Sequence, residues 1–245
     1  MDHPIAEALP SVASATAAAT QPKARAPRHD LYAQIHKALR LAMVDVLTRV
    51  GRLDADDESD VRAAVTAVRD LVSLCRMHLD KEEKFVHPAL ESAIPGGAGR
   101  TAREHDDHLR AFDRLESGVR AIERSTGARR AAAAMQLYRT LALFTAENFV
   151  HMHGEEVDNN AVLWATFSDE EIAGIERRLV ASIAPENVVA VLRWMAPAQT
   201  PAERATFFAN LRSKLPPAAF AGVMNEVITT LDADAKRKLL KALGA

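Results

Sequence analysis

Two segments of this chain carry the same run: His78-Leu-Asp-Lys-Glu82-Glu83 and His151-Met-His-Gly-Glu155-Glu156 both read His-x-x-x-Glu-Glu. At 3.6 residues per turn, positions four apart lie about 40° from one another around a helix, so each imidazole and first carboxylate leave one face in successive turns. Leu71, Leu74 and Phe85 flank the first pair, and Phe144 lies near the line of the second. Both pairs are therefore expected to point toward an apolar interior. A buried carboxylate and imidazole need compensation, because uncompensated burial costs on the order of several kcal/mol or shifts the pKa until the charge is lost. Such a pair can bind one metal ion or bridge two, and imidazole with carboxylate suits iron. The chain is thus constrained to long helices around a shared polar interior.

The apolar periodicity supplies those helices. Leu31, Ile35, Leu39, Met43, Val46 and Val50 recur at three- and four-residue steps, predicting a first helix over about 30–51. A second is expected over about 60–93, after the acidic stretch Asp54–Asp60, and it stops at Pro95-Gly96-Gly97. A third covers about 101–124, and a fourth runs from about 128 to 164 past a break at Gly127. Short Gly- or Asp-containing loops between long helices imply antiparallel neighbours, hence an all-α, up-down four-helix bundle over residues 28–165. Residues 1–27, rich in Ala, Pro, Ser and Thr without apolar period, read as a flexible tail. Beyond Trp164 the texture changes. Ser168-Asp-Glu-Glu171 and Thr200-Pro-Ala-Glu203 are capping-box sequences, and Pro185, Pro197, Pro201, Pro216 and Pro217 cut residues 168–245 into a small all-helical appendage.

Composition excludes several classes. The net charge is -2 with a pI near 6.5, so no overall field draws the chain to nucleic acid or an anionic membrane. No apolar run approaches a membrane span, and the opening Met-Asp-His-Pro lacks the basic start and apolar core of a signal peptide. With Cys75 as the single cysteine, the expected compartment is the reducing cytoplasm.

Histidines also fall on the other two helices. His36 lies among Ile35, Leu39 and Met43, and His105 opens the third helix with His108 one turn on. One His-x-x-x-Glu occurs often by chance, and for His78 and Glu82 alone a surface ion pair is the simpler account. Two copies on helices 2 and 4, with single histidines on helices 1 and 3, match how bundle cores build metal sites from facing helices. His87 sits about 180° from His78 on an ideal helix and is expected to face solvent or pack beside Pro88. His153 lies off the His151 face. Glu147, one turn before His151, could accept a hydrogen bond there or add a ligand, and Tyr32 could donate a hydrogen bond near His36. Cys75 and Trp194 read as core residues, Trp194 of the appendage's own core; His3 and His29 lie in or beside the tail.

Ile35-His36-Lys37, Cys75-Arg-Met-His78-Leu-Asp-Lys-Glu82-Glu83, Arg103-Glu104-His105 and Phe149-Val-His151-Met-His-Gly-Glu155-Glu156 together resemble the hemerythrin-like, or HHE cation-binding, family over about residues 28–165. The resemblance implies an oxo- or hydroxo-bridged pair of iron ions, with manganese the lesser alternative, that binds oxygen, nitric oxide or simply iron. Carried over by position, it implies His36, His78, Glu82, His105, His151 and Glu155 as ligands. Two departures stand out. Oxygen-carrying hemerythrins place a second histidine four residues after the first on helix 3, where this chain has Leu109, with His108 at three. Their last carboxylate follows the helix 4 histidine by five residues, the spacing of Glu156 and not of Glu155. The functions in view are a di-iron binding or sensing protein for a small diatomic ligand, a di-iron enzyme acting on oxygen, peroxide or nitric oxide, and a metal-free structural bundle. The C-terminal region is a candidate surface for a second copy or a protein partner.

Overall fold

The computed structural model describes residues 28–244; the stretch 1–27 read as a flexible tail, with His3, lies outside the described residues. Among the described residues the fold is all-helical. Helix α1 spans Ala33–Gly51 and α2 spans Glu58–Lys81. Asp57 starts α2 by accepting hydrogen bonds from the amides of Ser59 and Asp60, two of the donors a helix N-terminus leaves unpaired. A π-helical turn, Glu82–Val86, carries α2 into α3, His87–Ala93. Pro88 favours this widening, since its ring offers no N–H and crowds the carbonyl one turn back. Gly96 then turns the chain with φ 80°, and a Cβ on Gly97 would stand 2.7 Å from the Leu90 carbonyl oxygen, so the reversal requires glycine.

Helix α4, Gly99–Glu123, is followed by α5, Gly127–Gly154, a second π-helical turn, Glu155–Asn159, and α6, Asn160–Thr166. Helix α1 packs on α2 and α5, and α4 packs on the same two, so the long helices close a cycle. Leu39, Met43, Val68, Phe112, Leu115, Leu141 and Phe144 fill its centre. Each such buried side chain contributes roughly 1.5–3 kcal/mol relative to exposure. Helices α3 and α6 pack together at one end, where Leu90, Leu163 and Ile172 form a second apolar cluster.

Helix α7, Asp169–Ala181, begins at the Ser168 capping box, and α9, Pro201–Lys214, at that of Thr200. Helix α8, Pro185–Ala198, lies against α1, and its Val191 joins the core of the long helices. Trp194 packs against that core and not in a separate one, because α8 turns this face toward the long helices. The opposite face of α8 meets α9, α10 (Pro217–Ile228) and α11 (Ala233–Leu243) around Phe208, Met224, Val227 and Leu239. Lys37 on α1 donates to both carboxylate oxygens of Glu203 at 2.7 and 2.9 Å, tying α9 to the long helices. No helix among the described residues is long and apolar enough to cross a membrane.

Candidate metal centre

Six side chains converge between the long helices, close to the end capped by α3 and α6. His36 comes from α1, His78 from α2, His105 from α4 and His151 from α5; Glu82 and Glu155 stand at the first positions of the two π-helical turns. These are the six ligands that the family resemblance implies. His36, Glu82 and Glu155 are at most 2% exposed. The Glu82 carboxylate faces both sides: Oε1 lies 3.2 Å from His78 Nε2 and 3.8 Å from His36 Nε2, while Oε2 lies 3.5 Å from His105 Nε2. Glu155 Oε2 stands 3.2 Å from His151 Nε2 and 3.5 Å from His36 Nε2. The donor atoms form two groups, His36, His78, Glu82 and Glu155, and Glu82, His105, His151 and Glu155, each with all its atoms within 4.8 Å of one another. Both glutamates belong to both groups.

The inward atoms lack partners. His36, His78 and His105 Nε2 and all four carboxylate oxygens of Glu82 and Glu155 are buried without a hydrogen-bond partner among the described residues. Buried polar groups are ordinarily satisfied, so this many orphaned acceptors at one point fit bound cations. The outer ring nitrogens of His36, His105 and His151 are satisfied by a different set of carboxylates. His36 Nδ1 donates to Glu156 at 3.0 Å, His105 Nδ1 to Glu83 at 3.3 Å and His151 Nδ1 to Glu104 at 2.7 Å. Arg40 holds Glu156 at 2.6 and 2.9 Å, and Arg100 holds Glu104 at 3.1 and 3.2 Å. A proton on Nδ1 leaves the Nε2 lone pair directed inward, the form a metal needs.

Electrostatics agree with that form at His78 and His151. Burial, the largest cause, holds His78 at about 4 and His151 at about 2, so both are neutral near pH 7. His36 is also pulled down by burial, but the carboxylates of Glu156, which accepts from its Nδ1, and of Glu82 nearby outweigh this and raise it. The two inner carboxyls diverge. Burial opposes ionisation of Glu82, yet the surrounding imidazoles lower its pKa, whereas burial and the charge of Glu82 raise that of Glu155. Like charges this close disfavour one another unless cations stand between them.

One expectation is corrected, that for His87. His87 does not face solvent: it is 8% exposed and stacks on His105 with ring centroids 4.9 Å apart. The π-helical turn inserts one residue after Glu82 and rotates the residues beyond it by about 100°, bringing His87 round to the site. His108 is buried with its ring 4.7 Å from that of His151, yet it belongs to neither donor group. Glu156 takes up neither group and supports His36 from outside. Glu147 and His153 are exposed. Tyr32 is 1% exposed, its ring 5.2 Å from that of His36, and its hydroxyl accepts from Asn159 Nδ2 at 3.3 Å. The roles of Glu83 and Glu104 escaped sequence reasoning. The doubled glutamate in each His-x-x-x-Glu-Glu run was the available signal for Glu83, since the second carboxylate lies about 100° off the first; Glu104 lies outside both runs.

Comparison with known families matches residues 28–158 to the one described as "Hemerythrin HHE cation binding domain". No curated protein and no solved structure matches the chain.

Proposed function

Because the chain belongs to the hemerythrin HHE cation-binding family, we propose that it is a non-haem di-iron protein that binds or senses a small diatomic ligand, oxygen or nitric oxide. In this reading α1, α2, α4 and α5 are the up-down bundle of that family. His36 and His78 would hold one ion and His105 and His151 the other, with Glu82 and Glu155 within reach of both. The convergence of orphaned Nε2 and carboxylate atoms, with outer nitrogens held by Glu156, Glu83 and Glu104, is the observation that carries the proposal.

A pair of iron ions would supply redox-active, ligand-binding chemistry there. The chain supplies the enclosure. A cavity of about 10 Å³ adjoins His78, Glu82, His105 and His151 and is bounded by Met43, Phe112 and Met152. That is room for roughly one water-sized molecule, which favours a diatomic ligand over an organic one at this side. Phe112, one of its walls, packs edge to face on the buried Phe144. His108 also lines this cavity, and burial holds its pKa at about 4, so it borders the ligand space as a neutral ring.

Metal analysis of the full chain after anaerobic loading with ferrous iron tests the reading. About two irons per chain, and absorption from a coupled ferric pair after oxidation, are expected. A stable, reversible adduct of the reduced protein with oxygen or nitric oxide supports binding, whereas sustained consumption of either gas makes the protein an enzyme. A folded chain that takes up no iron ends the proposal.

A further inference from the structure

The C-terminal helices enclose a second cavity, on the α1 and α2 side of the centre, of about 200 Å³. Ile35 of α1, Met77 of α2, Leu179 of α7, Val188 and Val191 of α8 and Phe207 of α9 are among its walls, and His78 and Glu82 border it from the centre. The cavity is thus lined almost wholly by carbon yet meets two of the inward-facing polar side chains. Few convergent polar groups in an apolar concavity are the usual composition of a small-molecule site. A dry apolar cavity of about 150 Å³ already accommodates benzene, so this one suits a slightly larger body.

The polar groups that border it argue against a charged occupant. The Lys81 ammonium lies 3.2 Å from Asp80, and Glu176 pairs with His29 at 2.8 Å, so both charges already have partners. We infer that this cavity binds a small, uncharged, largely apolar organic molecule of about the size of a substituted benzene, with one edge against His78 and Glu82. The C-terminal helices are then the walls of a ligand site and not only a cover for α1. The placement of the ligand beside cations rests on the di-iron reading; the pocket and its chemistry do not.

Fluorine NMR of (trifluoromethyl)benzene with the full chain tests this in two arms. Saturable binding to the metal-free protein is expected, weakened at least tenfold by Val188→Trp, which fills the cavity from α8. Phe207→Ala, which enlarges it, is expected to shift preference at least threefold toward (trifluoromethyl)naphthalene, so the test survives if the first variant fails to fold. In protein loaded with cobalt(II), the bound probe is expected to relax several-fold faster than in the metal-free chain. No saturable binding, or binding indifferent to both variants, overturns the inference. So does unchanged relaxation in a chain shown to hold cobalt. A chain that takes up no cobalt counts against the di-iron reading instead, and the metal-free arm then decides the pocket alone.

Discussion

The α1–α2 and α4–α5 halves of the centre present the same inward set in different surroundings. Each has one helix that gives one histidine to the donor groups, His36 or His105, and one with a His-x-x-x-Glu-Glu run that passes into a π-helical turn at its first glutamate. The second glutamate of each run reaches across to the other half, Glu83 to His105 and Glu156 to His36. The halves part at the residue just before the single histidine. In one it is Glu104, which accepts from His151 and is itself held by Arg100. In the other it is Ile35, which lines the apolar cavity beside His78. Side-chain exposure differs accordingly, 5% for His151 against 14% for His78. Equivalent inner chemistry thus has a charged residue, Glu104, at this position in one half and a hydrocarbon wall, Ile35, in the other.

The largest effects come from the shared carboxylates, where the halves are equal. Glu82→Gln and Glu155→Gln are each expected to lower cation affinity by more than about 100-fold, beyond the 10–100-fold typical of outer partners. Calorimetric titration with cobalt measures this. Glu155→Gln is also expected to stabilise the metal-free chain by about 1 kcal/mol, because an uncharged amide replaces a carboxyl whose ionisation burial and the charge of Glu82 oppose. If either glutamate proves dispensable while the other is essential, the centre is not shared as described.

The outer groups separate the halves. Glu104→Gln is expected to weaken cation binding about 10–100-fold, whereas Ile35→Ala, at the corresponding position, is expected to stay within about threefold. Ile35 packs and does not hydrogen-bond, so its truncation costs packing stability more than affinity. Equal losses from the two variants would erase the distinction.

The helices themselves were legible because apolar residues recur at three- and four-residue steps, and their ends because proline, glycine and capping boxes mark them. The convergence of His36, His78, Glu82, His105, His151 and Glu155 was legible because i and i+4 share a face through the α-helical part of each run. Legibility ended at the π-helical turns. Ideal periodicity sends His87 away from the site, and the inserted residue brings it back onto His105. The acceptors Glu83 and Glu104 sit off the ligand faces and find their histidines only across a helix–helix interface, which one-dimensional spacing does not encode. The docking of α8 along α1 was hidden for the same reason. Trp194 fits an apolar stripe whichever core it joins, and only the tertiary structure shows that it packs on the long helices.

A smaller effect sharpens the clamp on the charged side. A Cβ on Gly154 would lie 2.5 Å from Arg100 Nη1, whereas the matching residue before Glu82 is Lys81, a full side chain. Gly154→Ala is expected to push the guanidinium off Glu104 and lower cation affinity about threefold, equivalent to about 0.7 kcal/mol. Lys81→Ala, its counterpart, is expected to leave affinity unchanged. An unaltered affinity in Gly154→Ala would show that Arg100 does not support His151.

The smallest effect concerns the tie between the C-terminal helices and the cavity they enclose. Lys37, foremost, and the Thr200 amide hold the Glu203 carboxyl at about 2, below its ordinary 4.5. A carboxyl whose folded pKa is depressed contributes stability that is full above the ordinary value and is lost as pH falls from about 4.5 through about 2. Lys37 and Glu203 are 38% and 36% exposed, so solvent screening reduces the contribution to below about 1 kcal/mol. Glu203→Gln removes the charge and keeps an amide able to reach back to the Thr200 N–H, as a capping box allows. Wild type is therefore expected to exceed this variant in stability by roughly 0.5 kcal/mol near neutral pH, with the gap closing as pH approaches 2, in urea melts followed by circular dichroism. A gap that widens on acidification would mean that the charge of Glu203 opposes the docking of α9 on α1.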